Sequence, residues 1–242
     1  MLMAAPMRWA PTCGRAHLQR HHGGVKSAHA PLSRFPDPRS APADAPLAWG
    51  GDLDPETLLD AYRHGIFPWP APDGAIYWWS PDPRALIPPA RVHVSRSLRR
   101  TLRSDRFHCT QDTAFADVVA GCAGQRAGGT WITPAMAQAY LRLHQLGHAH
   151  SVEVWDAGGA LVGGIYGVAV GAVFSGESMF HRATDASKVA LVELAARLQA
   201  AGFWLLDAQL PTPHLASMGA VAVPRSAFLT LLGVAALVPV AL

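Results

Sequence analysis

The stretch that most restricts how this chain can fold is Gly163–Phe180, GGIYGVAVGAVFSGESMF, where glycines at 163, 164, 167, 171 and 176 stand among β-branched and aromatic residues. Strand-forming residues interrupted by glycine fit two strands folded about a tight turn, with backbone brought close at the glycines. One charged residue, Glu177, sits in this apolar company. An unpaired buried carboxylate is costly, so either solvent or a binding partner reaches it. A solvated glutamate on a glycine-rich sheet rim and a functional carboxylate both satisfy the pattern at this point.

The flanking segments extend that pair into a sheet. Val152–Trp155 alternates, Asp156–Gly159 reads as a turn, and Leu161–Val170 and Ala172–Phe180 follow as strands around Gly171, giving an antiparallel meander. Thr184 or Asp185 caps an alanine-rich helix, Ala186–Ala201, ended by Gly202. Phe203–Leu206 is then an apolar strand leading into Asp207-Ala208-Gln209. Strand, helix and strand imply a right-handed crossover that lays the last strand beside the meander. A helical turn His214–Met218, a short strand Ala220–Val223 and a helix Ser226–Leu232 close the chain. The fold class is α+β: a mixed β-sheet flanked by helices, acetyltransferase-like (GNAT-like), over residues 89–242, with a small N-terminal α/β domain over 46–88.

In that small domain, Asp54-Pro55-Glu56 reads as an N-cap, a first-turn proline and a first-turn acid, followed by Leu58, Leu59, Ala61 and Tyr62 at helical spacing up to Gly65. Trp69, Trp78 and Trp79 fall on either side of a Pro/Asp/Gly turn, and Ser80–Arg84 continues as an extended segment because each proline disfavours helix before it. Further on, Arg96, Arg99, Arg100 and Arg103 recur at three- and four-residue steps, so a helix starting near Ser95 lines them along one face. That face is either a solvated charge run or a phosphate clamp, and Asp105 alone breaks it. Helices are expected over Thr113–Cys122 and from Thr133-Pro134 through Leu146, closed by Gly147. Trp131, before the second, either faces a ligand or plugs a hydrophobic staple. His144, His148 and His150 are not read as a metal site, because Gly147 interrupts helical spacing and no carboxylate or thiol lies nearby in sequence.

Residues 1–45 lack apolar periodicity and read as a disordered basic tail, either a transit-like segment or an over-extended start. Residues 1–50 carry six Arg/Lys against Asp37 and Asp44, so the net +3 of the chain is +4 there and −1 beyond. The folded part is therefore nearly neutral, and nucleic-acid binding must rest on local clustering. Three cysteines without CxxC pairing exclude a disulfide framework or zinc site and point to a reducing cytoplasm; no apolar run is long enough to span a membrane. No cofactor is expected, and a monomer is the default.

Asp207 and Gln209, two apart, point to one face of an extended segment. They offer acceptors for a cation or amine and an N–H pair for a developing oxyanion; equally, Asp207 caps the strand end and Gln209 is solvated. No Ser-His-Asp arrangement, phosphate-binding loop or dinucleotide fingerprint is present, so covalent catalysis is not favoured.

The segments GGDL (50–53), AYRHGIFPW (61–69), WWSPDPR (78–84), GTWIT (129–133), LGHAHSVEVW (146–155), GGIYGV (163–168), FSGESMF (174–180), ASK (186–188), LDAQ (206–209) and PHLASMGA (213–220) resemble, in order and spacing, the leucyl/phenylalanyl-tRNA–protein transferase family. The resemblance covers about residues 47–232. It implies transfer of Leu or Phe, with Met as a further donor, from aminoacyl-tRNA to proteins with N-terminal Arg or Lys, marking them for degradation. It further implies an apolar side-chain pocket of Ile165, Phe174, Leu191 and Leu206, with Trp69 and Trp131 holding the terminal adenosine. Arg96, Arg99, Arg100 and Arg103 would clamp acceptor-stem phosphates, and Glu177, Asp207 and Gln209 would receive the basic N-terminus and orient its amine.

The reaction so implied is aminolysis of an activated ester, for which positioning and desolvation supply much of the rate. A carboxamide is a poor base at neutral pH, which favours an orienting role for Gln209. Ala208 stands where family members often carry Cys, and Ile165 where they frequently carry Met; the long basic tail is also atypical. Competing readings are an acyl-CoA enzyme, which needs a pyrophosphate cradle absent before Ala186, and a plain RNA-binding module, which leaves the strand-end carboxylates without a use.

Overall fold

Apolar and glycine periodicity resolve into two sheets. The computed structural model describes residues 33–70, 74–124 and 130–242. The chain enters through β1 (Ala48–Trp49), α1 (Pro55–Arg63), β2 (Phe67–Pro70) and β3 (Ile76–Trp79). These strands pair antiparallel in the order β1-β3-β2. Helix α1 buries Leu58, Leu59, Ala61 and Tyr62 on one face. The Asp54 side chain makes no cap bond; Asp52 Oδ1 instead accepts from the Asp54 N–H at 3.1 Å and the Thr57 hydroxyl at 2.7 Å.

The larger unit follows as β4 (Arg84–Ile87), α2 (Arg96–Leu102), β5 (Phe107–Gln111), α3 (Phe115–Gly124), α4 (Pro134–Gln145), β6 (Ala149–Asp156), β7 (Leu161–Val170), β8 (Val173–His181), α5 (Ala186–Ala200), β9 (Leu205–Gln209), α6 (Pro213–Ser217), β10 (Val221–Val223) and α7 (Arg225–Ala235). Its sheet has the order β10-β4-β9-β8-β7-β6-β5. The β6–β7–β8 meander is antiparallel, and after the α5 crossover β9 lies parallel beside β8, as Phe174 opposite Leu206 shows. The expected α+β arrangement, a mixed sheet flanked by helices, is thus present. Ser95 caps α2 by accepting from the Leu98 N–H, and Thr133 caps α4 by accepting from the Met136 N–H. Asp185 stands at the N-cap of α5 as expected, but it adopts φ 69° and its carboxylate makes no cap bond, turning instead to Lys188 and Thr101.

Alternation along β7 divides the interior between two layers. Ile165 faces the cluster beneath α5 with Phe174, Leu191 and Leu206, whereas Tyr166 and Val168 face the cluster shared with α1, α3, α4 and the three-stranded sheet. A smaller cluster packs α7 against Leu86, Val173 and Leu205.

Two segments differ from the sequence reading. β4 falls within the expected N-terminal domain (46–88) yet pairs with β9 and β10 in the large sheet, because Leu86 and Ile87 are buried in two different apolar clusters. Of the expected tail, residues 1–32 lie outside the described residues, but 33–45 pack on the fold. Phe35 meets Trp78 edge-on at 4.7 Å, and the buried Arg225 donates to the carbonyls of Ala41, Pro42 and Ser80. Isolated anchors such as Phe35 carry no periodicity, so the sequence pattern misses them.

Candidate active site

Glu177 owes its position to a bulge. Pairing between β7 and β8 steps from Tyr166–Ser178 to Gly167–Gly176, leaving Glu177 as the extra residue. Gly167 makes this possible: a Cβ there would collide with the Ser175 carbonyl oxygen and lie 2.5 Å from the Phe174 ring. The bulge turns the carboxylate toward α4 and α1, where it is wholly buried.

Three elements meet it there. The Tyr140 hydroxyl of α4 donates to Glu177 Oε2 at 2.6 Å, and Tyr62 of α1 lies 3.0 Å from the Tyr140 oxygen. Because Tyr140 spends its only proton on Glu177, Tyr62 is the donor of that second bond. Gln209 Nε2 donates to Glu177 Oε1 at 2.8 Å. Among the described residues no cation pairs with Glu177. Burial pushes its carboxyl up to about 7, opposed by the bonds from Tyr140 and Gln209 and by the nearby Tyr62 hydroxyl, and reinforced by the charge of Asp207. Burial and the Glu177 charge raise both tyrosines well above the ordinary phenol value, so they remain donors.

Asp207 is committed differently. Arg84 of β4 forks onto it, Nε to Oδ1 at 2.8 Å and Nη2 to Oδ2 at 2.6 Å, with both side chains 1% exposed. The third arm, Nη1, donates to the Gly65 carbonyl at 3.1 Å, and the guanidinium lies over the Phe67 and Phe228 rings at 5.0 and 4.6 Å. Gly65 has φ 72° and stands against Phe228 and Leu229, leaving no room for a side chain. Asp207 Oδ1 also accepts from the Gln209 N–H at 3.0 Å. Gln209 itself adopts φ 65°, a conformation costing about 1 kcal/mol or more for a residue with a side chain. Its carboxamide oxygen is buried and has no hydrogen-bond partner among the described residues.

The result is one buried polar chain, Tyr62–Tyr140–Glu177–Gln209–Asp207–Arg84–Gly65, that starts and ends in the N-terminal unit and crosses the large sheet. Chemically it offers a carboxylate near its neutral-pH midpoint, without an internal counter-ion, beside an unpaired carboxamide oxygen. Such a pair can accept hydrogen bonds from a cationic or amine group.

The family model described as leucyl/phenylalanyl-tRNA protein transferase matches residues 86–233, and the model of that transferase's N-terminal domain matches residues 51–82. The chain belongs to the leucyl/phenylalanyl-tRNA–protein transferase family. Members of this family are aminoacyltransferases. Leucyl/phenylalanyl-tRNA–protein transferase of Aromatoleum aromaticum is 60% identical over 187 residues, 76% of this chain and 78% of that one. The transferase of Stutzerimonas stutzeri is 59% identical over 184 residues, covering 75% and 81%. Among solved structures, the chain is similar to a GCN5-related N-acetyltransferase from Kribbella flavida, with a TM-score of 0.34 and 12% identity over 71% of this chain and 61% of that one.

The structure gathers the other transferase-like residues into three places. Ile165, Phe174, Leu191 and Leu206 are wholly buried in the single cluster beneath α5. Trp69 and Trp131 lie against each other, ring centroids 5.8 Å apart and planes 34° apart, on the opposite side of the sheet with Tyr62 and Tyr140. Trp131 is buried and its indole N–H has no hydrogen-bond partner among the described residues. Arg96, Arg99, Arg100 and Arg103 are all exposed along α2 and just past its end, and among the described residues none is in an ion pair.

Of the two readings of Glu177, a solvated sheet rim is excluded by its burial, as is a solvated Gln209. Sequence reasoning missed Arg84, Tyr62 and Tyr140, each remote in sequence from the group it contacts. The Ser-Pro-Asp-Pro-Arg segment held a usable signal, an arginine opening an apolar strand.

Among the described residues no three His, Cys, Asp or Glu side chains are placed to hold a metal, and no helix is long and apolar enough to cross a membrane. His144 stacks on Phe115 at 4.2 Å, and His150 donates to Asp112 at 2.8 Å.

Proposed function

We propose that this transferase moves Leu or Phe, and Met, from the 3′ end of aminoacyl-tRNA to the N-terminal α-amine of proteins that begin with Arg or Lys, marking them for degradation. The observation that carries the acceptor choice is Glu177: a buried carboxylate that pairs with no cation among the described residues, next to the Gln209 oxygen that has no partner among them. A guanidinium or ammonium entering there gains a charge-assisted hydrogen bond that a neutral side chain cannot make.

In the reaction the amine nitrogen bonds to the ester carbonyl carbon and the carbonyl–ribose oxygen bond breaks. The amine gives up a proton and the terminal ribose hydroxyl of the tRNA gains one. Asp207 is saturated by Arg84, so Glu177 and Gln209 are the groups that meet the acceptor, which they hold and orient. Ile165, Phe174, Leu191 and Leu206 would receive an apolar side chain unbranched at Cβ. Trp69 and Trp131 would stack the terminal base, and the α2 arginines would hold acceptor-stem phosphates without reading sequence. A charged-tRNA donor places the reaction in the cytoplasm.

The test is transfer of labelled Leu from charged tRNA to peptides that differ only in their first residue. Peptides starting with Arg or Lys are expected to be labelled, and those starting with Gln or Met are not. Absence of transfer to any peptide, or equal labelling of all four, overturns the proposal.

A further inference from the structure

The Arg84–Asp207 pair is more constrained than a stabilising contact requires. A buried ion pair gives no net stability over well-packed apolar residues of the same size, and an apolar side chain would pack against Phe67 and Phe228. What an apolar side chain cannot supply is direction. The guanidinium packs over two rings and donates through Nε, Nη1 and Nη2 to two acceptor groups, so the Asp207 carboxylate is fixed in plane and in rotation. That carboxylate in turn accepts from the Gln209 N–H two residues on, the contact that holds Gln209 at positive φ and ends β9 there. With the backbone so turned, the Gln209 side chain reaches across to Glu177.

We propose that Arg84 is a positioning residue: acting through Asp207, it sets the Gln209 backbone so that its carboxamide meets Glu177 and presents its free oxygen to the acceptor. Asp207 is then a strut between Arg84 and Gln209, with its lone pairs engaged by Arg84, Gln209 and, at 3.4 Å, the Ser175 hydroxyl. Gly65 and Phe67 extend the strut into the N-terminal unit, so the seating of that unit and the orientation of Gln209 are one event. The kinetic part rests on the proposed transfer reaction; the geometric part does not.

Arg84→Lys keeps the charge and loses the fork. Expected is a folded protein whose kcat falls at least tenfold while KM for charged tRNA stays within twofold, and whose Gln209 backbone amide exchanges with deuterium at least tenfold faster. Amides of the β6–β7 ladder should keep their protection. Unchanged protection of the Gln209 amide, or wild-type kcat in the folded variant, overturns the assignment. Should Arg84→Lys fail to fold, the isosteric Asp207→Asn carries the same two readouts with the same deciding outcomes. If even the wild-type chain transfers nothing, the reaction reading has failed, and exchange at Gln209 still decides the role of Arg84.

Discussion

The Tyr140 hydroxyl donates to Glu177 at 2.6 Å where the carboxylate has no contact with solvent. That bond and the one from Gln209 favour the ionised form, burial favours the protonated one, and the balance leaves the carboxyl at about 7. A carboxylate poised there changes charge near neutral pH, and stability and recognition should both follow it.

Stability should fall as pH rises toward neutrality. An unfolded glutamate releases its proton near 4.5, whereas folded Glu177 holds it to about 7. Between those values the native state binds the extra proton, so the Glu177 contribution to stability falls from about pH 4.5 to about pH 7 and is level above that range. The integrated change is on the order of 3 kcal/mol. Urea denaturation at half-unit pH steps checks this, with Glu177→Gln expected to remove this component of the slope. Transfer to an Arg-initiated peptide should move oppositely, rising to a plateau above about pH 7 as the carboxylate becomes ionised. A wild-type stability curve with no decline over that interval contradicts the assignment.

Removing one hydroxyl separates the tyrosine contribution from burial. Tyr140→Phe takes the short donor from Glu177 and the acceptor from Tyr62, at a cost of about 2 kcal/mol for the buried groups left unpaired. Because that bond favours the carboxylate, its loss should move the midpoint of the transfer–pH profile upward. Tyr62→Phe should move it less, since Tyr62 acts mainly through Tyr140. Equal shifts in the two variants would show that the hydroxyls do not act in series.

Much of this architecture was legible in the chain because its elements are periodic. The meander, α5 and β9 follow from alternation, glycine punctuation and an apolar run, and Glu177, Asp207 and Gln209 stood out as polar groups at the ends of such runs. Arg84 did not, because its partner is 123 residues away and nothing local marks an arginine as buried. Tyr62 and Tyr140 read as ordinary apolar-face positions of α1 and α4, where only the tertiary packing brings their hydroxyls together. β5 escaped notice for a related reason: Phe107–Gln111 is a mostly polar edge strand, ordered by pairing with β6 rather than by its own pattern.

The α2 arginines give a prediction independent of the buried site. If Arg96, Arg99, Arg100 and Arg103 contact phosphates, replacing two of them with Gln should weaken charged-tRNA binding roughly equally for leucyl and phenylalanyl donors. It should also flatten the dependence of log affinity on log salt by about 0.9 for each phosphate no longer neutralised. Filter binding across a salt series measures both. A drop in affinity with an unchanged salt slope would show that the arginines act on the fold instead.

Arg225 makes residues 33–45 part of the folded protein. Its guanidinium is buried and donates to the carbonyls of Ala41 and Pro42 as well as Ser80, while Phe35 rests on Trp78 and Arg34 bonds Thr57 at 2.9 Å. A chain beginning at residue 46 strips two carbonyl partners from a buried cation and uncovers the Trp78 ring. Bonds to a charged group contribute about 2 kcal/mol each, so a loss of roughly 4 kcal/mol is expected. For a protein of this size that corresponds to a fall in Tm of about 10 °C. Thermal melts of chains starting at residue 33 and at residue 46 test it, the first serving as reference. Below the melting range the two should transfer Leu at the same rate per molecule, because none of these contacts touches Glu177 or Gln209. Equal melting temperatures would mean that the Arg225 guanidinium finds other acceptors when the segment is gone, and a rate difference between the folded chains would place residues 33–45 in the substrate surface.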